Sequence, residues 1–470
     1  MSENNLSVYT INYDLAANLD LELLKEYNIL PIEDNLLYIL TACLDISQDI
    51  KPIMKIFNKP VKLIEVEQKY LEMEYKYLHI KKQLYNDADE ALKHKNIKSE
   101  NRYIINFIDT ILHFSVDSNV SDIHFEIFKD IFIIRLRIDG ILNQFFSFHI
   151  ELFKLISSVI KFLGNLDISQ NRHPLDSRFT KNINNKDYDF RISTMPTIHG
   201  ESIVLRVLDN ENVQKPLDSI GFETKILDDI KNTLTLTQGM ILVTGPTGSG
   251  KTTTLYSMLN FLNSNEKKII TVEDPVEYKL KGVIQININN DINLDYTTVL
   301  KNILRQDPDI LMIGEIRDKE SLQIAMQASL TGHLVIATLH TNSAVETITR
   351  LFDLQAPSYL IASTLKLVIS QRLVRVLCPY CKKYDELTKC YIKKGCKKCD
   401  LTGYKNRKVI CEALPIDDHI AKLISSNNLI DILPYAKKRN FKELSVNGKD
   451  MIKNGTTSLE EYFSRISREI

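Results

Sequence analysis

The chain has 470 residues, 44% of them hydrophobic and 25% charged, a composition that is ordinary for globular domains and gives no reason to expect disorder. This length predicts about three domains. The formal net charge of -1 excludes an overall electrostatic preference for nucleic acid or membranes, although a local charged patch stays possible.

The sequence shows neither a secretory signal nor a membrane-spanning segment. Residues 1–14 lack the basic and apolar regions of a secretory signal. No apolar run approaches the roughly 18 residues that a membrane span needs. We therefore expect a cytoplasmic protein.

The first 102 residues predict a small domain followed by a linker. Residues 1–68 alternate short apolar runs with turn signals, which predicts a small N-terminal α+β domain. Within it, NILPIEDNLLYILTACLD predicts two strands joined around Glu33, Asp34 and Asn35. Residues 69–102 are highly charged, lack Gly and Pro, and carry tyrosine and leucine near helical spacing. They predict a helical linker.

A second α+β domain is predicted over residues 103–215. It begins with an amphipathic helix and two alternating strands, turns at Asp139 and Gly140, and continues with period-two stretches that are typical of antiparallel sheet. The block also contains four notable arginines. Taken singly, each is more often a surface or ion-paired residue than a catalytic one. They are Arg172, Arg178, Arg191 and Arg206.

Residues 216–470 alternate helical and strand patterns and predict an α/β domain with a mainly parallel sheet. Strands are expected over residues 240–244 and 268–272. From about Leu360 onward we expect mainly helices, interrupted by a basic, cysteine-rich insert over residues 378–407.

The sequence GPTGSGKTT follows the first of these strands and matches G-x-x-x-x-G-K-[ST], the phosphate-binding loop. Its glycines let backbone N–H groups surround phosphate oxygens, and the following helix adds the positive end of its dipole. Lys251 would reach the β- and γ-phosphates, and the Thr252 hydroxyl would bind Mg²⁺. The predicted nucleotide-binding residues are Gly245, Pro246, Thr247, Gly248, Ser249, Gly250, Lys251, Thr252 and Thr253.

Three further strand ends carry polar residues suited to hydrolysis. LMIGE ends in Glu315, and we expect its strand to lie next to the phosphate-loop strand, with the carboxylate near the γ-phosphate. VEDPVEY contains Glu273, Asp274 and Glu277, acids that cannot lie in a core unless they are paired. LVIATL is followed by His340, at the position of a γ-phosphate sensor, although a lone histidine at a strand end is as often structural.

Four of the seven cysteines form two C-x-x-C pairs, CPYC and CKKC, separated by fourteen residues. This spacing predicts a closed, structural zinc site rather than a disulfide framework. Cys390 or Cys411 could substitute as a ligand. The lysines of the insert either solvate it or contact an acidic partner or anionic lipid. The predicted ligands are Cys378, Cys381, Cys396 and Cys399.

Taken in order, GPTGSGKTTTLY, ITVEDPVEY, ILRQDPDILMIGEIRD and TGHLVIATLHTN resemble the Walker A, Asp box, Walker B and His box of the secretion ATPase superfamily. Within it, the chain resembles type II secretion protein E and the type IV pilus assembly ATPases, over roughly residues 100–470. The resemblance implies a RecA-like phosphate-loop ATPase domain, preceded by a PAS-like α+β domain and a small N-terminal α+β domain, with a four-cysteine zinc insert.

The resemblance also assigns roles to individual residues. It implies a homohexameric ring that uses ATP, Mg²⁺ and structural Zn²⁺, with active sites between an arginine-bearing domain and the ATPase core. By position, Glu315 would be the catalytic acid, Glu273 would position water and metal, and His340 would sense phosphate. Arg191 and Arg206 would reach the γ-phosphate and stabilise transition-state charge.

The function implied is a motor that powers assembly of a type II secretion pseudopilus, a type IV pilus or a DNA-uptake pseudopilus. Expected partners are an inner-membrane platform protein and the cytoplasmic domain of a membrane assembly protein, so that the protein would be peripheral at the inner membrane. The chain is expected to lack the extra leading domain of many pilus assembly ATPases.

Two alternatives stay open. The first is a nucleic-acid-binding or translocating ATPase that uses the basic zinc insert as its contact surface. The near-neutral charge and the lack of interleaved aromatic residues argue against nucleic acid as a direct ligand. The second is a nucleotide-gated scaffold that hydrolyses ATP too slowly to do work.

Overall fold

The computed structural model forms two compact units, Met1–Val207 and Leu208–Ile470, each of which is described by itself. The boundary lies close to the predicted start of the ATPase domain, and the finer four-part division stays a prediction. The residues that the structure describes are 16, 24–25, 28–32, 37–41, 61–66, 68–94, 102–209, 215–399 and 401–466.

The first unit begins with a three-stranded sheet and a long helix. Strand β1 (Ile29–Ile32) is antiparallel to β2 (Leu37–Thr41), and β2 is parallel to β3 (Val61–Glu65). The predicted pair of strands is confirmed, whereas its turn residues 33–35 lie outside the described residues. Helix α1 (Gln68–Lys93) confirms the helical character of the linker over that range.

A six-stranded sheet forms the rest of the first unit, in the order β6-β5-β4-β9-β8-β7. Apolar side chains of its strands and helices alternate into one core, and the four strand pairs whose registers are resolved are antiparallel, as predicted. The hairpin turn at Asp139 and Gly140 is also confirmed, with both residues at positive φ. The elements are α2 (Arg102–Asp117), β4 (Val120–Ile127), β5 (Ile131–Ile138), β6 (Ile141–His149), α3 (Glu151–Leu163), β7 (Leu175–Ile183), β8 (Lys186–Thr197) and β9 (Gly200–Asp209).

The second unit is built on a seven-stranded sheet in the order β12-β11-β13-β14-β10-β15-β18. The first six strands are parallel, and β18 is antiparallel to β15, which confirms the predicted α/β fold with a mainly parallel sheet. The strands are β10 (Gly239–Thr244), β11 (Ile269–Glu273), β12 (Ile284–Asn287), β13 (Ile310–Ile313), β14 (Leu334–Leu339), β15 (Leu365–Leu377) and β18 (Tyr404–Pro415).

Helices cover both faces of this sheet, which is why its central strands are continuous apolar runs. In β10, Met240 and Leu242 belong to one buried cluster, whereas Ile241 and Val243 belong to the cluster on the opposite face. The helices are α4 (Thr224–Leu234), α5 (Lys251–Leu262), α6 (Tyr296–Ile303), α7 (Lys319–Leu330), α8 (Ala344–Asp353), α9 (Ser358–Thr364), α10 (Asp418–Ser425), α11 (Ile432–Lys438), α12 (Leu444–Lys453) and α13 (Leu459–Arg465).

Two sequence-based expectations about this unit are wrong. The strand that precedes Glu315, β13, does not lie next to β10, because β14 pairs with both of them and separates them. The chain from Leu360 to Pro415 is not mainly helical either, since the long paired strands β15 and β18 flank the insert, and helices predominate only from Asp418 onward. An apolar run of this kind fits a buried strand or a buried helix equally well, and its pattern does not reveal lateral strand order.

The cysteine-rich insert connects β15 to β18 and contains a short hairpin, β16 (Lys383–Asp385) and β17 (Cys390–Ile392). The predicted four-cysteine insert is therefore present, and its strand β17 contacts the C-terminal helices α12 and α13. Among the residues that the structure describes, no helix has both the length and the apolar character to cross a membrane.

Candidate functional site

The glycine-rich loop joins β10 to α5 at the carboxyl edge of the parallel sheet. Gly245 has a φ of 141°, and a Cβ atom there would lie 2.4 Å from the carbonyl oxygen of Gln371. Gly250 precedes α5 with a φ of 88°, in the left-handed region that favours glycine. The backbone can therefore curl tightly at both ends of the loop, as a phosphate cradle requires.

Lys251 and Thr252 begin α5 directly after this curl. The Lys251 Nζ donates hydrogen bonds to the carbonyl oxygens of Gly245 (2.8 Å) and Pro246 (3.2 Å), so the ammonium lies over the loop. Burial lowers the pKa of Lys251, and the charge of Glu315 acts in the opposite direction. The first N–H groups of a helix have no acceptor within it, so this end of α5 offers donors to an anion.

Glu315 and His340 come together because they follow β13 and β14, which are neighbouring parallel strands. Glu315 Oε1 lies 3.4 Å from His340 Nε2, and Glu315 Oε2 accepts a hydrogen bond from Arg317 Nε at 3.0 Å. The Arg317 guanidinium in turn lies 3.7 Å from Asp274 Oδ2. Side chains that follow β11, β13 and β14 thus meet at one edge of the sheet. Carboxylates and an imidazole at this edge can exchange protons, and a guanidinium beside them can stabilise developing negative charge.

Glu273 lies at the end of β11 and is buried, with an exposed fraction of 4%. Its carboxylate accepts hydrogen bonds from Thr271 Oγ1 (2.6 Å), Gln285 Nε2 (3.1 Å) and the Tyr256 hydroxyl. Burial raises the pKa of Glu273, and the three donors partly oppose that rise. The expectation that an acid in this segment must be paired if it is buried is confirmed for Glu273.

The predicted arginines lie in the first unit, three of them on the neighbouring strands β7, β8 and β9 of its six-stranded sheet. Arg206 on β9 donates from Nε to Asp122 Oδ1 at 3.0 Å, and its side chain is half exposed. Arg191 on β8 lies opposite Arg178 of β7 in the strand register. Arg172 lies in the exposed segment before β7. The structure thus places Arg191 and Arg206 in one unit and the phosphate loop, with its three polar strand ends, in the other.

The sequence reasoning missed three residues of the second unit that contact these groups. Arg317 holds Glu315, and Gln371 and Arg372 of β15 hydrogen-bond to the loops that follow β10 and β14, respectively. One signal could have indicated the last two. Ser370, Gln371 and Arg372 interrupt the apolar run LKLVISQRLVRVL, and three consecutive polar residues in a buried strand need polar partners on both faces.

The four predicted cysteines form one cluster. Their Sγ atoms lie within 4.8 Å of one another, with separations of 3.8 Å for Cys378–Cys396 and 3.7 Å for Cys381–Cys399 and Cys396–Cys399. A tetrahedral site with Zn–S bonds of about 2.3 Å has S–S edges of about 3.8 Å. The Cys399 Sγ also accepts N–H groups from Cys396 and Gly403. This donor set fits zinc, and Cys390 and Cys411 are not part of it.

Comparison with known proteins identifies the family of this chain. Residues 98–464 match the family described as Type II/IV secretion system protein. The type II secretion system protein E of Aeromonas hydrophila is 41% identical over 381 residues, which cover 78% of this chain and 76% of the relative. The type IV pilus assembly ATPase PilB of Pseudomonas aeruginosa is 40% identical over 385 residues, which cover 78% and 68%.

A solved structure agrees with these relatives. The crystal structure of the pilus retraction motor PilT with bound ADP superposes with a TM-score of 0.55 at 27% identity, over 75% of this chain and 95% of that chain. The predicted resemblance to secretion ATPases, including the RecA-like fold, is confirmed. The chain belongs to the type II/IV secretion system protein family and is an ATPase.

Proposed function

We propose that this chain is the subunit of a homohexameric motor that hydrolyses ATP to power assembly of a type II secretion pseudopilus, a type IV pilus or a DNA-uptake pseudopilus. The observation that carries the proposal is the gathering of Lys251, Glu315 and His340 at the carboxyl edge of one parallel sheet. The relatives add the class of machine, because one is a secretion protein and another is a pilus assembly ATPase.

In this proposal the nine residues from Gly245 to Thr253 bind the phosphates of ATP. Support comes from the tight backbone at Gly245 and Gly250 and from the position of the Lys251 ammonium over the loop. Thr252 would hold Mg²⁺, which supplies charge neutralisation at the β- and γ-phosphates when it is bound. A hydroxyl in the first turn of α5 is the oxygen donor that this role needs.

Glu315 accepts a proton from the attacking water, and His340 senses the γ-phosphate. The short separation of their side chains supports these roles, because a phosphate that forms or leaves near one of them changes the field at the other. Glu273, at the buried end of β11, positions water and metal. Its three donors support that role, since they fix the strand end from which Asp274 projects toward Arg317.

Arg191 and Arg206 stabilise the negative charge that develops on the transferred phosphoryl group. The half-exposed side chain of Arg206, held at its Nε by Asp122, supports this assignment because its terminal nitrogens stay available. In a ring, such arginines would complete a site when subunits close on each other, which would couple hydrolysis to movement.

Cys378, Cys381, Cys396 and Cys399 would hold a structural zinc ion that fixes the insert between β15 and β18. The motor would act at the inner membrane through a platform protein and the cytoplasmic domain of a membrane assembly protein, as a cytoplasmic protein with peripheral membrane association. The relatives' membership in secretion and pilus systems supports these partners.

The test is phosphate release by the purified chain with ATP and Mg²⁺. The Lys251→Ala variant should lose activity by about 10²-fold or more, because it removes the main cationic contact to the phosphates. Lys267→Ala, at an exposed lysine after the same helix, is the matched control and should keep wild-type activity. Phosphate release by Lys251→Ala at the rate of the control would overturn the proposal.

A further inference from the structure

We infer that Gln371 and Arg372 are positioning residues that attach the phosphate loop and the His340 loop to a single strand, β15. The inference rests on the nucleotide site proposed above. It concerns two side chains that belong to neither the phosphate-loop motif nor the three polar strand ends. Each is nearly inaccessible to solvent, with exposed fractions of 1% for Gln371 and 8% for Arg372.

The pairing of β15 with β10 explains why these residues reach the loop. The two strands are parallel, and Thr244, the last residue of β10, lies opposite Ser370. Where β10 ends and the phosphate loop begins, β15 continues for seven more residues. Gln371 and Arg372 therefore run alongside the start of the loop, and successive side chains of a strand point to opposite faces.

Gln371 contacts the phosphate loop and the helix that follows it. Its Nε2 donates to the carbonyl oxygen of Ser249 at 2.9 Å, and its Oε1 accepts from the hydroxyl of Thr254 at 3.0 Å. Ser249 lies in the loop and Thr254 in the first turn of α5, so one amide group holds both sides of Lys251 and Thr252. The Gln371 carbonyl oxygen also closes off the space beside Gly245.

Arg372 contacts the other loop, on the opposite face of the strand. Its guanidinium donates to the carbonyl oxygen of Asn342 at 3.2 Å and to Asn342 Oδ1 at 3.1 Å, and Ser370 Oγ donates to the same carbonyl at 3.1 Å. Asn342 follows His340 by two residues. In the described part of the chain, no carboxylate forms an ion pair with Arg372. Its donors are therefore engaged by backbone and amide oxygens.

A cavity shows why the His340 loop needs these hydrogen bonds. A space of about 480 Å³ lies beside Arg372 and is lined by Pro246, Asn342 and Glu412, among others. On this side the loop is not held by close packing. Besides the 2.9 Å hydrogen bond that the Asn342 N–H donates to Glu346 Oε2 in α8, the three hydrogen bonds from Ser370 and Arg372 hold the loop to β15. A change in these three bonds should therefore alter where His340 sits relative to Glu315.

The two contacts predict different kinetic defects. Loss of the Gln371 amide should loosen the phosphate loop and weaken binding of any nucleotide. Loss of the Arg372 guanidinium should misplace the His340 loop, which matters for turnover and not for binding of ADP. If the two residues had a merely structural role, their loss would lower the melting temperature and leave the Kd for ADP and the kcat for phosphate release unchanged.

The experiment compares Gln371→Met and Arg372→Met, which keep most of the side-chain volume, in the full-length chain. We expect Gln371→Met to raise the Kd of a fluorescent ADP analogue about tenfold, the effect of one lost buried hydrogen-bonding group. We expect Arg372→Met to leave that Kd within about twofold and to lower kcat for phosphate release about tenfold. Arg372→Lys, which retains a charged donor, should recover part of kcat.

Arg375→Ala is the matched control on the same strand. Arg375 is also a largely inaccessible arginine, with a side-chain exposure of 12%, but it pairs with Glu461 and contacts neither loop. This variant should lower the melting temperature without changing the Kd or kcat. If either methionine variant fails to fold, Thr254→Val removes the hydroxyl that donates to Gln371, and Asn342→Ala removes the amide oxygen that accepts from Arg372. Each should then reproduce part of the defect expected of the corresponding methionine variant.

The inference is overturned if the Gln371 and Arg372 variants behave like Arg375→Ala, with altered melting temperature and unaltered Kd and kcat. Failure of the proposed function would look different. In that case the wild-type chain would release no phosphate, while the ADP titration, which needs no hydrolysis, would still decide whether Gln371 holds the phosphate loop.

Discussion

Removal of the Tyr256 hydroxyl, which donates to the buried carboxylate of Glu273, should lower the stability of the second unit. Tyr256 is 1% exposed, and its hydroxyl is one of three donors to Glu273. Tyr256→Phe keeps the ring and removes that donor from a place that water does not reach. A buried charged acceptor that loses one donor costs about 1–3 kcal/mol. For a unit of this size, we expect the melting temperature to fall by about 2–12 °C.

The same variant should show a pH dependence of known sign. Burial raises the pKa of Glu273, so between its unfolded and folded pKa values the folded chain binds more protons, and stability falls as pH rises through that window. The Tyr256 hydroxyl favours the charged carboxylate. Its loss raises the pKa of Glu273 further, and the destabilisation should therefore be larger at about pH 8 than at about pH 5.

Differential scanning calorimetry of the second unit's transition at both pH values measures these effects. Tyr384→Phe is the control, because the Tyr384 side chain is exposed on the cysteine-rich insert. A melting temperature for Tyr256→Phe that matches the control at both pH values would refute the assignment of this hydroxyl to Glu273.

Two further predictions concern the metal cluster and the phosphate loop. Cys381→Ser should reduce zinc, measured by atomic emission, from about one ion per chain to near zero, whereas Cys390→Ser should retain it; equal zinc in both would contradict the four-cysteine site. Gly245→Ala should weaken ADP binding about tenfold or more in calorimetric titration, because its Cβ would meet the Gln371 carbonyl at 2.4 Å. Gly332 also has a positive φ, of 101°, but a Cβ there would lie in open space, so an ADP affinity of Gly245→Ala equal to that of Gly332→Ala would contradict the collision.

Local features of this chain could be predicted from sequence because their determinants lie close together. The phosphate loop is set by glycines and a lysine within eight residues, and the cysteine cluster by the spacing of two pairs. The hairpin at Asp139 and Gly140 follows from turn residues between alternating runs. In each case the chemistry and the backbone geometry are specified by neighbours along the chain.

Features that depend on distant pairing could not be predicted in the same way. The strand β14 separates β13 from β10, and this order is set by side-chain packing on both faces rather than by any one segment. Gln371 lies 122 residues from Ser249, its partner in the phosphate loop. The apolar content of β15 fits a buried helix as well as a buried strand. Because the sequence did not identify this segment as a strand, it could not predict which loops its polar residues contact.

The most direct test of the hydrolytic site is the behaviour of Glu315→Gln, which keeps the size of the side chain and removes its capacity to accept a proton. Its rate of phosphate release should fall by about 10²-fold or more while its affinity for ATP stays within about twofold of wild type. Glu320→Gln, at an exposed glutamate nearby, should match the wild type in both measurements. A Glu315→Gln variant that releases phosphate as fast as this control would contradict the assignment of Glu315 as the group that accepts a proton from the attacking water.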